Sequence, residues 1–288
     1  MADKTKSIVL CTNPDCDPDF AVTLQAKKIL EDGGYTAHSA IIPGRIREFT
    51  LPEALCPVSL EETAKSAQLL IVFGGDGTIL RTARAVMKTP LPMLGVNLGH
   101  KGFMAQVESE ELSLVLDVAA GNYTPIKRMM LDVELIRDGK IILSNSVLND
   151  AVVGCTASAM NLAAYGDGSM IASYSGDGVV IATPTGSTAY SLSAGGPLVE
   201  PTAESILLTP ICAHLMNVRP FLLASDRIVT VKTSNNSEKK LWVSMDGSEP
   251  IPIFDGDELR IKKSENCSIM AQLPGKSFYD IAYKKLGG

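Results

Sequence analysis

The sequence predicts an α/β N-terminal domain with a parallel sheet, then a β-rich, sandwich-like C-terminal domain, with the C-terminal segment returning to the first domain. Three observations carry this prediction. Up to about residue 124, short apolar runs alternate with segments of helical periodicity, the signature of parallel strands covered on both faces. From Pro125 the period shortens to two and tight turns appear, as in half-exposed antiparallel strands. Near the end, Phe278 to Leu286 reads as a helix again. The expected domains are 1–124, with 270–288 packing back on it, and 125–269. A length of 288 residues suits about two domains, and 45% apolar residues is enough for substantial cores.

In chain order, Ser7 to Cys11 is a short apolar strand, and Phe20 to Leu30 has helical spacing ending at Gly33-Gly34. Leu69 to Phe73 is a continuous apolar run of strand length. Thr78 to Met87 places Ile79, Leu80, Ala83, Val86 and Met87 on one helical face. Met93 to Val96 is another short strand, and Leu112 to Ala120 is helical, stopping at Gly121-Asn122. In the second half, Leu131, Val133 and Leu135 alternate with Asp132 and Glu134, and Asp138-Gly139 is a strong hairpin turn before Ile141 to Leu143. Ile228 to Thr233, Leu241 to Met245 and Glu258 to Lys262 follow as strands, with turns at Asn235-Asn236 and Asp246-Gly247.

The net charge of −6 gives no support to a nucleic-acid or anionic-membrane partner, since both prefer a basic surface. No apolar run approaches the roughly 18 residues that span a bilayer. The stretch Ile8 to Cys11 is too short for a signal-peptide core, so the expected location is cytoplasmic. Six scattered cysteines without a C-x-x-C pair read as free thiols, and His38, His100 and His214 lie too far apart in sequence to suggest a zinc site.

The first chemical motif is Gly74-Gly75-Asp76-Gly77-Thr78, between an apolar strand and a helix. Glycines let a backbone approach phosphate closely and aim N–H groups at it, and a helix N-terminus adds positive charge. The turn itself carries no Gly-Lys-Ser/Thr of the Walker type, and Leu80 stands where a dinucleotide fingerprint has its third glycine. Asp76 is unfavourable beside phosphates unless it binds a bridging metal or takes a proton from an attacking hydroxyl. The rival role is a helix N-cap, for which Thr78 is equally suited.

The second motif is Asp177-Gly178 leading a strand into Thr183 through Pro197, fifteen residues with seven hydroxyls and three glycines. Hydroxyls donate and accept without adding charge, which sugar and phosphate recognition needs; an ordinary loop and helix cap is the plainer reading. Tyr190 is suited to stacking on a base or to core packing. Asn149-Asp150, at a strand end, can hold two ribose hydroxyls or simply make a turn.

Together these segments resemble the NAD kinase family. The resemblance rests on Gly74 to Thr78, Gly95 to His100, Arg128 to Leu131, Asn149-Asp150 and Asp177 to Pro197, and extends to Pro210 through His214, Arg219-Pro220 and Asp246-Gly247. It implies an α/β domain and a β-rich domain, with ATP (or polyphosphate) as donor, NAD as acceptor and a divalent metal, Mg2+. It also implies homodimers or homotetramers with composite sites. Asp76 matches the catalytic aspartate that approaches the adenosine 2′-hydroxyl. Gly75, Gly77 and Thr78 belong to the phosphate turn, and Phe103 sits where the family has an aromatic wall for adenine. Asn149 and Asp150 match the pair that contacts the nucleosides. Thr185, Thr188, Ala189 and Tyr190 match the adenine-binding segment, while Asp177 and Ser193 match positions near nicotinamide. The metal ligands are left open. Lys101, Ala213 and Asp150 depart from commoner family residues, and Lys101 adds a cation near the expected cleft. The rivals are a lipid or sugar kinase sharing the glycine turn, and a non-catalytic NAD(P) sensor.

Overall fold

The computed structural model describes residues 6–44, 48–89, 91–99, 102–156, 158–214, 218–234 and 239–286. His100, Lys101 and the turn expected at Asn235-Asn236 lie outside these residues. The chain divides into two compact units, Met1–Lys127 with Ser268–Gly288, and Arg128–Cys267.

The first unit begins with β1 (Ser7–Thr12), α1 (Ala21–Asp32), β2 (Thr36–Ile41), α2 (Leu60–Ala64), β3 (Leu69–Gly74), α3 (Asp76–Ala85), β4 (Pro92–Asn97), β5 (Val107–Glu108) and α4 (Leu114–Ala119). The strands are parallel, in the order β4-β3-β1-β2. Ile8, Leu10, Ile71 and Phe73 pack with Ala26 and Leu30 of α1 and Val115 and Val118 of α4. Every residue of β3 is buried, which is why it reads as an unbroken apolar run rather than an alternating one. The α3 helix starts at Asp76, two residues before the sequence-based start. Gly75 is extended (φ −94°, ψ −175°) and serves as its N-cap, so the glycine turn masks the true beginning.

The second unit continues with β6 (Thr124–Arg137), β7 (Lys140–Val147), β8 (Asp150–Cys155), β9 (Met160–Gly166), β10 (Ser169–Gly176), β11 (Gly178–Ala182), α5 (Tyr190–Ser193), β12 (Ser205–Ile211), β13 (Phe221–Ala224), β14 (Val229–Thr233), β15 (Leu241–Met245), β16 (Ile251–Ile253) and β17 (Glu258–Gln272). One layer runs β10-β9-β14-β17 and continues into β6 and β7; the other is β13-β12-β11-β8-β15-β16. Their facing side chains form one core, with Val133, Leu162, Val231 and Ile261 on one side and Val153, Val179, Ile181 and Val243 on the other. This is an antiparallel sandwich. The β6–β7 hairpin turns at Asp138 and Gly139, both at positive φ (49° and 73°), as a primed two-residue turn requires.

Strand β17 is much longer than the expected Glu258 to Lys262. Lys262 through Cys267 carry few apolar residues and their burial does not alternate with the period of two, with Ser264 buried three residues on from Ile261 and Ser268 four beyond that, so the sequence pattern does not show the strand running on. Its last residues belong to the first unit, where Ile269 and Met270 pair in parallel with Pro92 and Met93 of β4. Helix α6 (Phe278–Leu286) follows in that same unit. Lys276 Nζ donates to the Gln106 carbonyl (2.6 Å), and Gln106 Oε1 accepts from Leu273 N (2.7 Å).

Candidate functional site

In the first unit the chain order reverses between β1 and β3, and ligands in open α/β sheets bind beyond the strand ends at such a point. The glycine turn lies there. Asn13, the residue after β1, donates its backbone N–H to the Phe73 carbonyl (3.2 Å) and its side-chain N–H to Thr78 Oγ1 (3.0 Å). Arg81 Nη2 also donates to Thr78 Oγ1 (3.3 Å). With both lone pairs engaged, the Thr78 hydroxyl keeps its proton for another acceptor. The Arg81 Nε is buried without a partner among the described residues. Burial pulls the Arg81 pKa down, while the nearby Asp15 carboxylate works to raise it. Asn13 and Arg81 went unread in the sequence; the only signal for Arg81 was its place one helical turn beyond Thr78.

Asp76 does not cap α3. It is the first helical residue and makes no capping bond. Instead its carboxylate accepts from the backbone N–H groups of Phe103 (to Oδ2, 2.7 Å) and Met104 (to Oδ1, 3.1 Å). The loop can come this close because residue 102 is glycine: a Cβ there would stand 2.0 Å from Asp76 Oδ1. Thr78 is not the cap either, since its hydroxyl takes the bonds from Asn13 and Arg81. The Phe103 ring is half-buried, and Lys285 Nζ of α6 stands 4.3 Å from its centroid, a cation–π contact. A cavity of about 890 Å³ adjoins it, lined by Gly102, Gln106, Glu108, Lys276, Asp280 and Lys285.

In the second unit the Asn149-Asp150 pair and the Thr183–Pro197 segment meet. Strand β11 is buried on both faces, because Val179 and Ile181 face the sandwich core while Val180 and Ala182 pack with Ala194 and Val199 of the segment that follows. Thr183 donates its N–H to the Asn149 carbonyl (2.8 Å) and its hydroxyl to the Leu148 carbonyl (2.6 Å), and accepts from Gly186 N (3.1 Å). Gly186 is pressed so closely that a Cβ would lie 2.2 Å from the Asn149 carbonyl oxygen. Several hydroxyls of this segment therefore serve the fold: Ser187 bonds with the backbone of Val199, and Ser191 with Thr209 Oγ1.

Two polar atoms here are left over. Thr185 Oγ1 and Asn149 Oδ1 are buried with no partner among the described residues. Buried polar groups normally find one, so a ligand that supplies hydrogen bonds fits both. Asp150, 5% exposed, has its pKa pushed up to about 7, first by burial and then by the neighbouring charge of Asp246. Thr188 donates to the Thr185 carbonyl (3.2 Å). Ala189 is the N-cap of α5 and Ser193 ends that helix, exposed. Tyr190 is 43% exposed and thus outside the core. It lines a cavity of about 530 Å³ with Asp177, Cys155, His214 and Trp242. Asp177 is exposed and holds the Cys212 thiol by a hydrogen bond, which raises that thiol's pKa. The first-unit residues Gly75, Asp76, Gly77, Thr78 and Phe103 thus gather at one strand-end site, and most of the second-unit set gathers around Asn149 and Tyr190. Among the described residues, no group of three or more His, Cys, Asp or Glu is placed to hold a metal ion.

Comparison with known proteins follows the same division. A family model described as ATP-NAD kinase N-terminal domain matches residues 47–120, and one described as ATP-NAD kinase C-terminal domain matches residues 148–272. The NAD kinase of Symbiobacterium thermophilum is 42% identical over 76% of this chain and 78% of its own length. That of Ruminiclostridium cellulolyticum is 36% identical over 98% of both chains. The crystal structure of yeast NADH kinase complexed with NADH superposes with a TM-score of 0.80 at 25% identity, covering 98% of this chain and 88% of that one.

Proposed function

The chain belongs to the ATP-NAD kinase family, and from that premise we propose that it moves the terminal phosphoryl group of ATP onto the adenosine 2′-hydroxyl of NAD, giving NADP. One observation carries the assignment of roles. Asp76 stands at the mouth of a glycine turn, freed from capping, with its carboxylate fixed by the N–H groups of Phe103 and Met104. Each oxygen retains a second lone pair, which suits it to orient the 2′-hydroxyl and accept its proton.

Phosphoryl transfer asks a protein mainly for positioning and charge neutralisation. The turn Gly75 to Gly77 supplies N–H groups at a helix N-terminus, and Thr78 and Arg81 add a hydroxyl proton and a guanidinium. As the 2′-oxygen bonds to phosphorus, the bond to the ADP oxygen breaks and the hydroxyl proton passes to Asp76. Asn149 and Asp150 hold the nucleoside hydroxyls, and Thr185, Thr188, Ala189 and Tyr190 take the adenine. Asp177 and Ser193 face the nicotinamide half.

The residues present fit a divalent cation brought in by the donor. Mg2+ bound to phosphates takes only one or two protein carboxylates, and Asp76 offers one. When bound, it offsets the donor's charge. We place the protein in the cytoplasm, a compartment that suits six unpaired thiols. We also propose a homo-oligomer. The edge strand β13 presents Phe221 and Leu222, 38% and 58% exposed, an apolar edge suited to a subunit contact.

The test is to incubate the purified protein with NAD, ATP and magnesium and to measure NADP with an NADP-specific dehydrogenase. Wild type is expected to form NADP. Asp76→Asn is expected to lose about 10²- to 10⁴-fold in rate, the usual contribution of a positioned base, while binding NAD unchanged by calorimetry. Normal turnover in the variant would remove Asp76 from the base role. A wild-type protein that binds NAD and makes no NADP from ATP or polyphosphate would leave a nucleotide sensor.

A further inference from the structure

The geometry points to Asp246 as the residue that positions the Asn149-Asp150 pair for NAD. This rests on the reading of that pair as nucleoside ligands. Asp246 lies far from it in sequence, in the turn after β15. Its Oδ2 accepts from Leu148 N (2.9 Å), and its Oδ1 accepts from both Asn149 N (2.7 Å) and Asp150 N (3.2 Å). In return, Asp246 N donates to the Asp150 carbonyl (2.9 Å).

Three successive N–H groups converging on one anion form a backbone nest, here filled by the protein's own carboxylate. The opposite side of the same peptides is held by Thr183, through the Leu148 and Asn149 carbonyls. The backbone is thus held from both sides, and the buried Asn149 Oδ1 is left without a partner among the described residues. An ordinary turn needs none of this. Asp246 sits at φ 50° and Gly247 at 66°, the same left-handed pair as the Asp138-Gly139 hairpin turn, so what sets Asp246 apart is the three N–H groups its carboxylate gathers.

Asp246 touches no reacting atom and acts through Asn149 and Asp150. The variant to make is Asp246→Asn, because Asn tolerates the left-handed region and leaves the turn foldable. The amide has one acceptor oxygen where the carboxylate had two, so at least one of the three N–H groups loses its partner. Calorimetric affinity for NAD and the KM for NAD are expected to weaken about tenfold, with kcat and the KM for ATP within twofold of wild type. Asp246→Ala, which removes all three bonds, should weaken NAD further in the same pattern. Unchanged affinity for NAD in Asp246→Asn would overturn the assignment. So would a uniform fall in kcat, both KM values and thermal stability, which would make Asp246 a structural residue only. The proposed reaction itself is judged separately, by whether wild type forms NADP.

Discussion

The two units hold their candidate residues by opposite means. In the first, backbone does most of the work: glycine N–H groups line the turn after β3, and Asp76 is held by two main-chain N–H groups. In the second, side chains brace the backbone. Thr183 and Asp246 grip the 148–150 segment from either side, and Ser187 and Ser191 fasten the segment after β11. A backbone site depends on what must be absent, a Cβ. A braced site depends on what must be present, a buried hydroxyl or carboxylate. Substitutions should therefore fail differently in the two units.

The sharpest test of the backbone side is Gly102→Ala. The added methyl would lie 2.0 Å from Asp76 Oδ1, so the loop or the carboxylate must move. A displacement of about an ångström at a catalytic group costs roughly 10²-fold in rate. NADP formation should fall by about that factor while NAD affinity is retained. A variant as fast as wild type would mean that Asp76 needs no such fixed position.

A smaller effect is expected on the braced side from Thr183→Val, which keeps the shape and removes the hydroxyl. The Leu148 carbonyl and Gly186 N–H lose their partner in a buried place, costing about 1–3 kcal/mol in denaturant unfolding, with a raised KM for NAD. A change below about 0.5 kcal/mol would be the scale of an ordinary surface substitution and would break the contrast between the units.

The smallest and most pH-specific effect concerns Asp150. Its carboxyl is raised from 3.8 to about 7 in the folded protein, so the folded state binds the proton more tightly than the unfolded state does. The stability this provides is complete below about pH 4 and is lost as pH rises through about 7. Asp150→Asn should flatten the decline in melting temperature between those limits and melt higher than wild type at pH 8. Parallel pH profiles for the two proteins would show that Asp150 titrates like an exposed carboxyl.

This contrast also explains what the sequence could reveal. The first-unit turn was legible because strand, glycines and helix are contiguous from Leu69 to Ala85. The sandwich was legible from its alternation and its Asp138-Gly139 and Asp246-Gly247 turns. The partners that give these residues their roles were not legible, since they come from afar: Phe103 N lies 27 positions from Asp76, and Leu148 N lies 98 from Asp246. Asp246 looked like a turn residue because the local sequence cannot show what a carboxylate reaches. The seven hydroxyls of Thr183–Pro197 suggested ligand recognition, yet Thr183, Ser187 and Ser191 are fully buried and spent on internal bonds. Strands β9 and β10, which went unread, carry Gly, Ser and Asn among few large apolar residues and are identified by their pairing rather than their pattern.

The return of β17 to β4 has a consequence for biosynthesis. Strands β1 to β4 leave the ribosome first, yet the partner of Pro92 and Met93 on β4 is Ile269-Met270, made after the whole sandwich. Throughout that interval the nascent sheet carries an unfinished edge, and such an edge is a template for pairing with another chain. A translation product that ends before Ser268 would keep every residue of the glycine turn and still emerge with that edge open, so premature termination late in the message should yield aggregate rather than a weakened enzyme.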